Sequence, residues 1–482
     1  MSTNQFSRRR FLRGSLAAAG ALSFPWASAC GDSTSTVPPL QVDPERAWWL
    51  QNNFAPVADE ILATDLRVRG AIPSELSGLY VRNGSNPQSG DSTHWFLGDG
   101  MLHGIEIDRG RVSWYRNRYI DTPYYREGVD YRNGFGPPMQ GNHQSNVSLT
   151  WHGGQLLASG EVGAPYRIDP RNLETLGWTD FEGDLGNSFT AHSKIDPQTG
   201  YLHFFGYFFA PPFLQYYVAD TAGRVIHRTE IPVARDTMIH SFAITETDVV
   251  FWECPAVFGA PAVTGGLPYT WEPSYGSRVG VMPLGGVGSE IRWVEMPNCY
   301  VFHELNAYRD REEIVLDVSR HESLPGAEIQ LSSLPRLHRW RIGTGSTMSF
   351  EDEGAVDDRS MEFPQIDRRF TGRENRHGWC VGLRENSATL DPGGIYHLDG
   401  PAGRVNHWDP GMARQSGEAI FVPGGSGEGE GWLLAIVYDR AAAASDFVVL
   451  DAQDVARGPI AEVRLPQRVP HGFHGTWVPL AN

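Results

Sequence analysis

Gly431-Trp432-Leu433-Leu434-Ala435-Ile436-Val437-Tyr438 opens on a glycine, runs through seven apolar residues and stops at Asp439. A run this short, bounded by turn formers and containing β-branched and aromatic side chains, reads as a buried strand. The texture recurs at Leu79-Tyr80-Val81-Arg82-Asn83-Gly84, Gly154-Gln155-Leu156-Leu157-Ala158-Ser159, Tyr201-Leu202-His203-Phe204-Phe205-Gly206-Tyr207 and Asp248-Val249-Val250-Phe251-Trp252. Gly, Asp or Pro closes most of these runs, and turn residues return every ~8–12 positions, the spacing of many short strands. Length alone would suggest two or three domains. The strands are spread evenly, however, and no boundary interrupts them, so residues 42–482 are predicted to form one large all-β domain. No strict repeat at a fixed period is visible, which argues against a regular WD or kelch propeller and leaves irregular blades with long insertions.

Four histidines sit among apolar or small residues at what read as strand ends: Ala191-His192-Ser193, Ile239-His240-Ser241, Phe302-His303-Glu304 and Phe473-His474-Gly475. Ligands gathered from such distant segments suit a metal held on the axis of a closed, radially built scaffold, whereas a finger or a helical HxxxH site draws its ligands from one short stretch. Four neutral imidazoles would leave coordination positions open for other ligands.

The N-terminus reads as a targeting segment. Ser7-Arg8-Arg9-Arg10-Phe11-Leu12-Arg13, followed by a modest apolar stretch from Gly14 to Ala29, has the charged and hydrophobic regions of an export signal, with paired arginines of the twin-arginine route. The apolar run falls short of the ~20 residues of a membrane span. Ala27-Ser28-Ala29 offers a cleavage site, which gives residues 1–29 as a signal peptide and a periplasmic or other extracytoplasmic destination. Cys30, directly after it, would carry a lipid anchor if a lipoprotein peptidase cuts there, although Ala27 makes a weak lipobox. Residues 30–41 form a polar, Pro-containing tether, and Asp43-Pro44-Glu45-Arg46 predicts a capped helix start.

Loss of Arg8, Arg9, Arg10 and Arg13 would take the formal charge from -17 to -21. So acidic a chain repels nucleic acid. Beyond Cys30 only Cys254, Cys299 and Cys380 remain, with no short-spaced pair, so neither a disulfide framework nor a CxxC zinc site is indicated, and one disulfide stays open. The most apolar stretch placed in a loop, Phe208 to Leu214, reads as a strand leaving the core through a Pro turn, or as part of a greasy entrance or a patch in peripheral contact with a membrane.

In order and spacing, Asn187 to Pro197, Met238 to Thr245, Val301 to Tyr308 and Gly472 to Pro479 closely resemble the four iron-binding segments of the carotenoid cleavage oxygenase family, whose members include apocarotenoid, stilbene and retinoid-isomerising proteins. Leu79 to Pro87, His94 to Met101, Gly276 to Val281 and Glu362 to Ile366 also look like family segments, so the resemblance spans nearly the whole mature chain. It implies a seven-bladed β-propeller, roofed by loops and short helices, with one Fe(2+) per chain on the axis bound by His192, His240, His303 and His474. It also implies that Glu161, Glu362 and Glu418 orient His240, His303 and His474, since a ligating imidazole usually passes its other N–H to a carboxylate. No side chain beyond the iron ligands need act in catalysis.

The implied reaction is oxidative cleavage of a C=C bond of a carotenoid or apocarotenoid, with O2 adding across the bond to give carbonyl products. Val147 matches the place of a small residue beside an open iron position, and Gly160, next to Glu161, is placed with it in controlling O2 or substrate access. Zinc is the rival metal for an all-histidine site, but no HExxH or short-spaced water-activating Glu is present. His94 and His103 flank a Gly-Asp-Gly turn and read as structural. Stilbene or phenylpropenoid cleavage by the same iron is the alternative; the stilbene members carry a Lys beside the orienting Glu, and no Lys lies between Asp130 and His192. A non-catalytic exported propeller would be expected to have lost one of the seven His and Glu residues, and all seven are present. A retinoid-type isomerohydrolase fits poorly with a bacterial export signal.

Overall fold

Strand Gly431–Asp439 is paired along both edges, with Ile420–Pro423 and with Ala444–Asp451, and Leu433 to Val437 are buried on both faces. That double burial is why its sequence is continuously apolar rather than alternating. The computed structural model describes residues 40–127, 141–259, 267–324 and 334–479, apart from 386, 388 and 401–403. Residues 1–29, and all of the tether up to residue 39, lie outside the described residues.

The strands form seven antiparallel blades around a central axis, a seven-bladed β-propeller. Blade 1 contains Gly78–Arg82, Met101–Asp108 and Arg111–Tyr119; blade 2 contains Ser148–His152, Gln155–Ser159, Tyr166–Ile168 and Thr175–Trp178. Blade 3 runs from Lys194–Ile195 through Leu202–Tyr207 and Leu214–Ala219 to Val225–Glu230, and blade 4 from Ala243–Ile244 through Asp248–Glu253 and Ser277–Pro283 to Arg292–Met296. Blade 5 begins with Tyr300–Asp310, Glu313–His321 and Arg336–Gly343. The 18-residue strand Ser349–Ile366 then serves two blades, pairing up to Ser360 with Arg336–Gly343 and from Met361 with His377–Leu383 of blade 6. Blade 7 holds Ile420–Pro423, Gly431–Asp439, Ala444–Asp451 and Ala461–Arg464.

Closure joins the two ends of the described chain. Gly475–Pro479 pairs with Gly78–Arg82 as the inner strand of blade 1, and Val68–Gly70 pairs with Ala461–Arg464 as the outer strand of blade 7. The ring therefore has no open edge between its first and last blades. Apolar clusters fill the spaces between blades; the largest joins blades 3, 4 and 5 and holds Phe242, Phe251, Trp252 and Trp340.

Asp43-Pro44-Glu45-Arg46 forms a turn, not the expected helix start. Asp43 caps it by accepting Glu45 N–H, but Gln51 is extended and its amide folds back on Asp43 and Arg46, so the chain takes two 3-10 turns, Trp48–Leu50 and Asn52–Phe54. Together with Trp95–Leu97 these turns roof the axis: Trp48 meets Phe54 and Trp95 edge to face. Phe208 to Leu214 is the hairpin of blade 3, closed by Phe208 N–H on Phe213 O at 2.9 Å, so the chain does leave the strand through a Pro turn. Cys254, Cys299 and Cys380 are buried free thiols.

Candidate metal centre

Each blade's inner strand enters beside the axis, and the residues at those entries gather in one place. His474 immediately precedes the inner strand of blade 1, Val147 that of blade 2 and Glu418 lies two residues before that of blade 7; His192 and His240 lead into blades 3 and 4, while His303 and Glu362 lie on the inner strands of blades 5 and 6. Close packing of backbone sets the approach of the last histidine. A Cβ on Gly84 would lie 2.7 Å from Gly472 Cα, and one on Gly472 2.8 Å from Asn83 O, so only glycines let Phe473 N–H reach Asn83 O and Asn83 N–H reach His474 O, both at 3.0 Å.

One ligand nitrogen from each of His192, His240, His303 and His474 lies within 4.8 Å of the others. The Nε2 atoms of His192 and His240 are 2.9 Å apart, and those of His303 and His474 3.1 Å. The outward nitrogens meet carboxylates: His303 Nδ1 lies 2.6 Å from Glu362 Oε2 and His474 Nδ1 2.8 Å from Glu418 Oε1. Glu161 Oε2 lies 2.7 Å from His240 Nδ1, off the line of the N–H bond. His192 has no such carboxylate among the described residues; its backbone N–H is held by Thr190 Oγ1 at 3.1 Å.

These partners fix the tautomers. Burial opposes ionisation of Glu362 and Glu418, but the imidazoles beside them outweigh it and hold both carboxyls below the usual carboxylate range. Ionised carboxylates only accept, so Nδ1 of His303 and His474 carries the proton and Nε2 presents a bare lone pair to the axis. Burial, and then the other imidazoles, push His192 well below the usual histidine range, and burial also lowers His303 against the pull of Glu362. Converging bare nitrogens repel one another and fit a shared divalent cation; four neutral nitrogens are a donor set for iron, zinc or cobalt.

Further groups hold the carboxylates. Tyr207 O–H donates to Glu161 Oε1 at 2.6 Å, Gln365 Nε2–H and Gly475 N–H donate to Glu418, each at 2.8 Å, and His321 Nε2 lies 3.2 Å from Glu362 Oε1. Sequence reasoning missed Tyr207, Gln365 and His321. Gln365 carried a signal, three residues from Glu362 in a family-like segment; the other two lie in no metal-binding segment.

Two cavities meet at the imidazoles. On the roofed side a cavity of about 360 Å3 is walled by Trp95, Phe96, Phe302 and Phe473 and reaches His240, His303 and His474. Val147 is on this wall, and its carbonyl accepts His474 N–H at 3.1 Å. Gly160 is not: a Cβ there would meet His143 Nδ1 at 2.9 Å, so the position faces a buried histidine instead of the cavity. Its neighbour Glu161, at the start of the bend that follows the strand Gln155–Ser159, does reach the wall. His94 and His103 are not in the cluster; His94 Nδ1 caps the Trp95–Leu97 turn and His103 Nδ1 pairs with Tyr115 O–H. The opposite cavity, about 470 Å3, runs along the axis past Lys194, Glu304 and Arg368.

Comparison with known proteins agrees with this geometry. The Retinal pigment epithelial membrane protein family matches residues 54–479. The chain is 34% identical to a carotenoid cleavage oxygenase of Mycobacterium tuberculosis, over 89% of this chain and 97% of that protein. It is also 34% identical to an isoeugenol monooxygenase of Pseudomonas nitroreducens, over 89% of this chain and 98% of that one. The crystal structure of the lignostilbene dioxygenase of Pseudomonas brassicacearum superposes with a TM-score of 0.83 at 28% identity, covering 92% of this chain and all of that one. With the propeller, the axial histidines and matches along nearly its whole described length, the chain belongs to the retinal pigment epithelial membrane protein family, that of the carotenoid cleavage oxygenases.

Proposed function

We propose that the chain is an Fe(II)-dependent dioxygenase that cleaves a C=C bond of a carotenoid or apocarotenoid to carbonyl products. The observation that carries this reading is the set of four inward-facing imidazole nitrogens, three of them backed by Glu161, Glu362 and Glu418. His192, His240, His303 and His474 would hold the ion, which when bound supplies the activation of O2. The chain itself does the rest: the carboxylates keep Nδ1 protonated and the rings aimed, and Phe96, Phe302 and Phe473 give an apolar alkene a dry bed beside the ligands. No side chain in the cluster is required to take or give a proton. Val147 would limit the space next to His474.

Stilbene or phenylpropenoid cleavage on the same site is the second reading, supported by the likeness to the lignostilbene dioxygenase and the isoeugenol monooxygenase. Anaerobic reconstitution with Fe(II), then O2 with β-apocarotenals, carotenes and hydroxystilbenes, tests both. One equivalent of iron and aldehyde products are expected. Iron uptake without cleavage of any of these alkenes would sink the substrate reading, and a stable zinc protein that refuses iron would sink the metal.

We also propose twin-arginine export to the periplasm, on the strength of Arg8, Arg9 and the apolar stretch after them, with residues 42–482 as the one exported domain and a lipid at Cys30 or the Phe208 to Leu214 hairpin as contacts with a membrane. No helix among the described residues is long and apolar enough to cross a membrane. Replacing Arg8 and Arg9 by Lys should strand the protein in the cytoplasm in cell fractionation; unchanged export would refute the route.

A further inference from the structure

The roofed cavity is apolar except for a few polar atoms; His94, whose Nδ1 accepts Phe96 N–H, keeps Nε2–H as a donor, while three other lining groups present acceptors. His321 sits at the end of Glu313–His321 in blade 5 and lines the cavity. Its Nε2 lies 3.2 Å from Glu362 Oε1, a carboxylate that can only accept, so in the neutral ring Nε2 carries the proton and Nδ1 is a bare lone pair. Nδ1 has no hydrogen-bond partner among the described residues, yet it is not one of the sealed, unpartnered polar atoms of the interior, so it opens on the cavity. Phe302 packs edge-on against His321, His240 and Tyr300, which puts this lone pair one aromatic ring away from the metal ligands.

Tyr269 repeats the pattern on another wall. Tyr207 spends its O–H on Glu161 Oε1 at 2.6 Å, so the 3.2 Å contact between the two phenols has Tyr269 as donor and leaves Tyr269 Oη facing the cavity as an acceptor. Asn146 gives both its amide hydrogens away, to Phe96 O and Gly98 O at 2.8 Å each, and also keeps only an acceptor. Gln144 is the lining amide that offers a donor as well. A pure hydrocarbon or a carbonyl end group would leave these acceptors without a proton in a dry site, which costs affinity.

We infer that His321 is the specificity-determining residue of the roofed cavity and that the substrate is an alkene bearing a ring hydroxyl, which donates its hydrogen bond to His321 Nδ1 with Tyr269 Oη as the second acceptor. The inference rests on the alkene-cleaving reading and narrows it. A phenol and a hydroxylated terminal ring of an apocarotenoid supply the same donor. Discrimination against the methyl ether or the unsubstituted alkene should be roughly tenfold or more.

The Fe(II)-loaded protein, kept anaerobic, is titrated by tryptophan fluorescence with 4-hydroxystilbene, 4-methoxystilbene and stilbene, and with a 3-hydroxylated β-apocarotenal and its parent. The hydroxylated member of at least one series should bind roughly tenfold tighter than its partners, and the series that does so says whether the ring is phenolic or alicyclic. In His321→Leu the ratio should fall to about twofold or less with iron content retained. His321→Gln, whose amide can donate to Glu362 while its oxygen faces the cavity, should restore it. Should the Leu variant lose iron, Tyr269→Phe and His321→Gln decide. Equal binding of hydroxyl and ether, a ratio indifferent to His321→Leu with iron retained, or no binding of any of these alkenes overturns the inference. Selective binding without cleavage on adding O2 would instead overturn the dioxygenase reading and leave this one standing; cleavage without discrimination does the reverse.

Discussion

The two cavities that meet at the histidines are similar in size, about 360 and 470 Å3, and differ in chemistry. The roofed one is walled by Trp95, Phe96, Phe302 and Phe473, and the charged groups it meets, Glu161 and Glu362, are both engaged with histidines. The axial one exposes Lys194, Glu304, Asp196 and Arg368 to its interior. His303, Phe363 and His474 line both, His240 only the first and His192 only the second. An apolar alkene gains from entering the first and would have to desolvate charges to enter the second. The imidazole ring is thus a partition, with chemistry directed to its roofed face.

The most severe break of this comparison is removal of a ligand on the roofed face alone. His240→Ala should lose bound iron, measured by metal analysis, and alkene cleavage by ~10³-fold or more, because three imidazoles and an unneutralised Glu161 remain around the position. Next comes Glu362→Gln, which takes away the carboxylate shared by His303 and His321. Weakening of iron affinity or cleavage by about 10–100-fold is the expected outcome, read by competition with a chelator and by turnover.

Phe363 is the side chain that divides the cavities without touching charge. Its backbone lies in the left-handed region, φ 52°, where a bulky residue is strained, and its ring packs 5.4 Å from the rings of both His303 and His474. Phe363→Ala should join the two spaces and let axial water reach the alkene bed. Cleavage is expected to fall about tenfold through KM, since roughly 1.4 kcal/mol of apolar contact suffices for that change, while iron stays at one equivalent. A fall confined to kcat would mean that Phe363 acts on the ligands and not as a wall.

The strands were legible because burial on both faces leaves an unbroken apolar run: Asp248–Glu253 and Gly431–Asp439 lie within one residue of where their sequences place them. The second half of Ser349–Ile366 was legible only as a family segment, and its first half, Ser349 to Asp358, is acidic and alternately exposed, so nothing in it announced a strand that serves two blades. The histidines and their glutamates could be named because each stands in a family-like segment. His321, Tyr269 and Tyr207 could not. They lie on other strands than the ligands, and packing between neighbouring elements brings them to the site: the strand Ser349–Ile366, shared by blades 5 and 6, sets Glu362 beside His321, and Tyr269 meets Tyr207 of blade 3. Gly160 shows the opposite error, where adjacency in sequence to Glu161 stood in for adjacency in space.

The axial side should tolerate change in a different currency, stability instead of turnover. Lys194, the only lysine in the chain, forms an ion pair with Glu304, whose other oxygen accepts Ser241 O–H at 2.6 Å. Both charged groups are mostly buried, at 17% and 6% side-chain exposure, so breaking the pair strands a carboxylate in a poorly solvated site. Lys194→Met should therefore destabilise the fold by about 3 kcal/mol, seen as a lowered midpoint in urea with unchanged slope. The double variant Lys194→Met with Glu304→Gln removes both charges and should recover most of that loss, since the amide can still accept from Ser241. In both proteins turnover of the alkene should stay within about threefold of the parent, less than 1 kcal/mol on the barrier. A larger loss of turnover in the double variant, with iron retained, would show that charge in the axial cavity reaches through the imidazoles, and the partition between the two sides would then be electrostatic as well as steric.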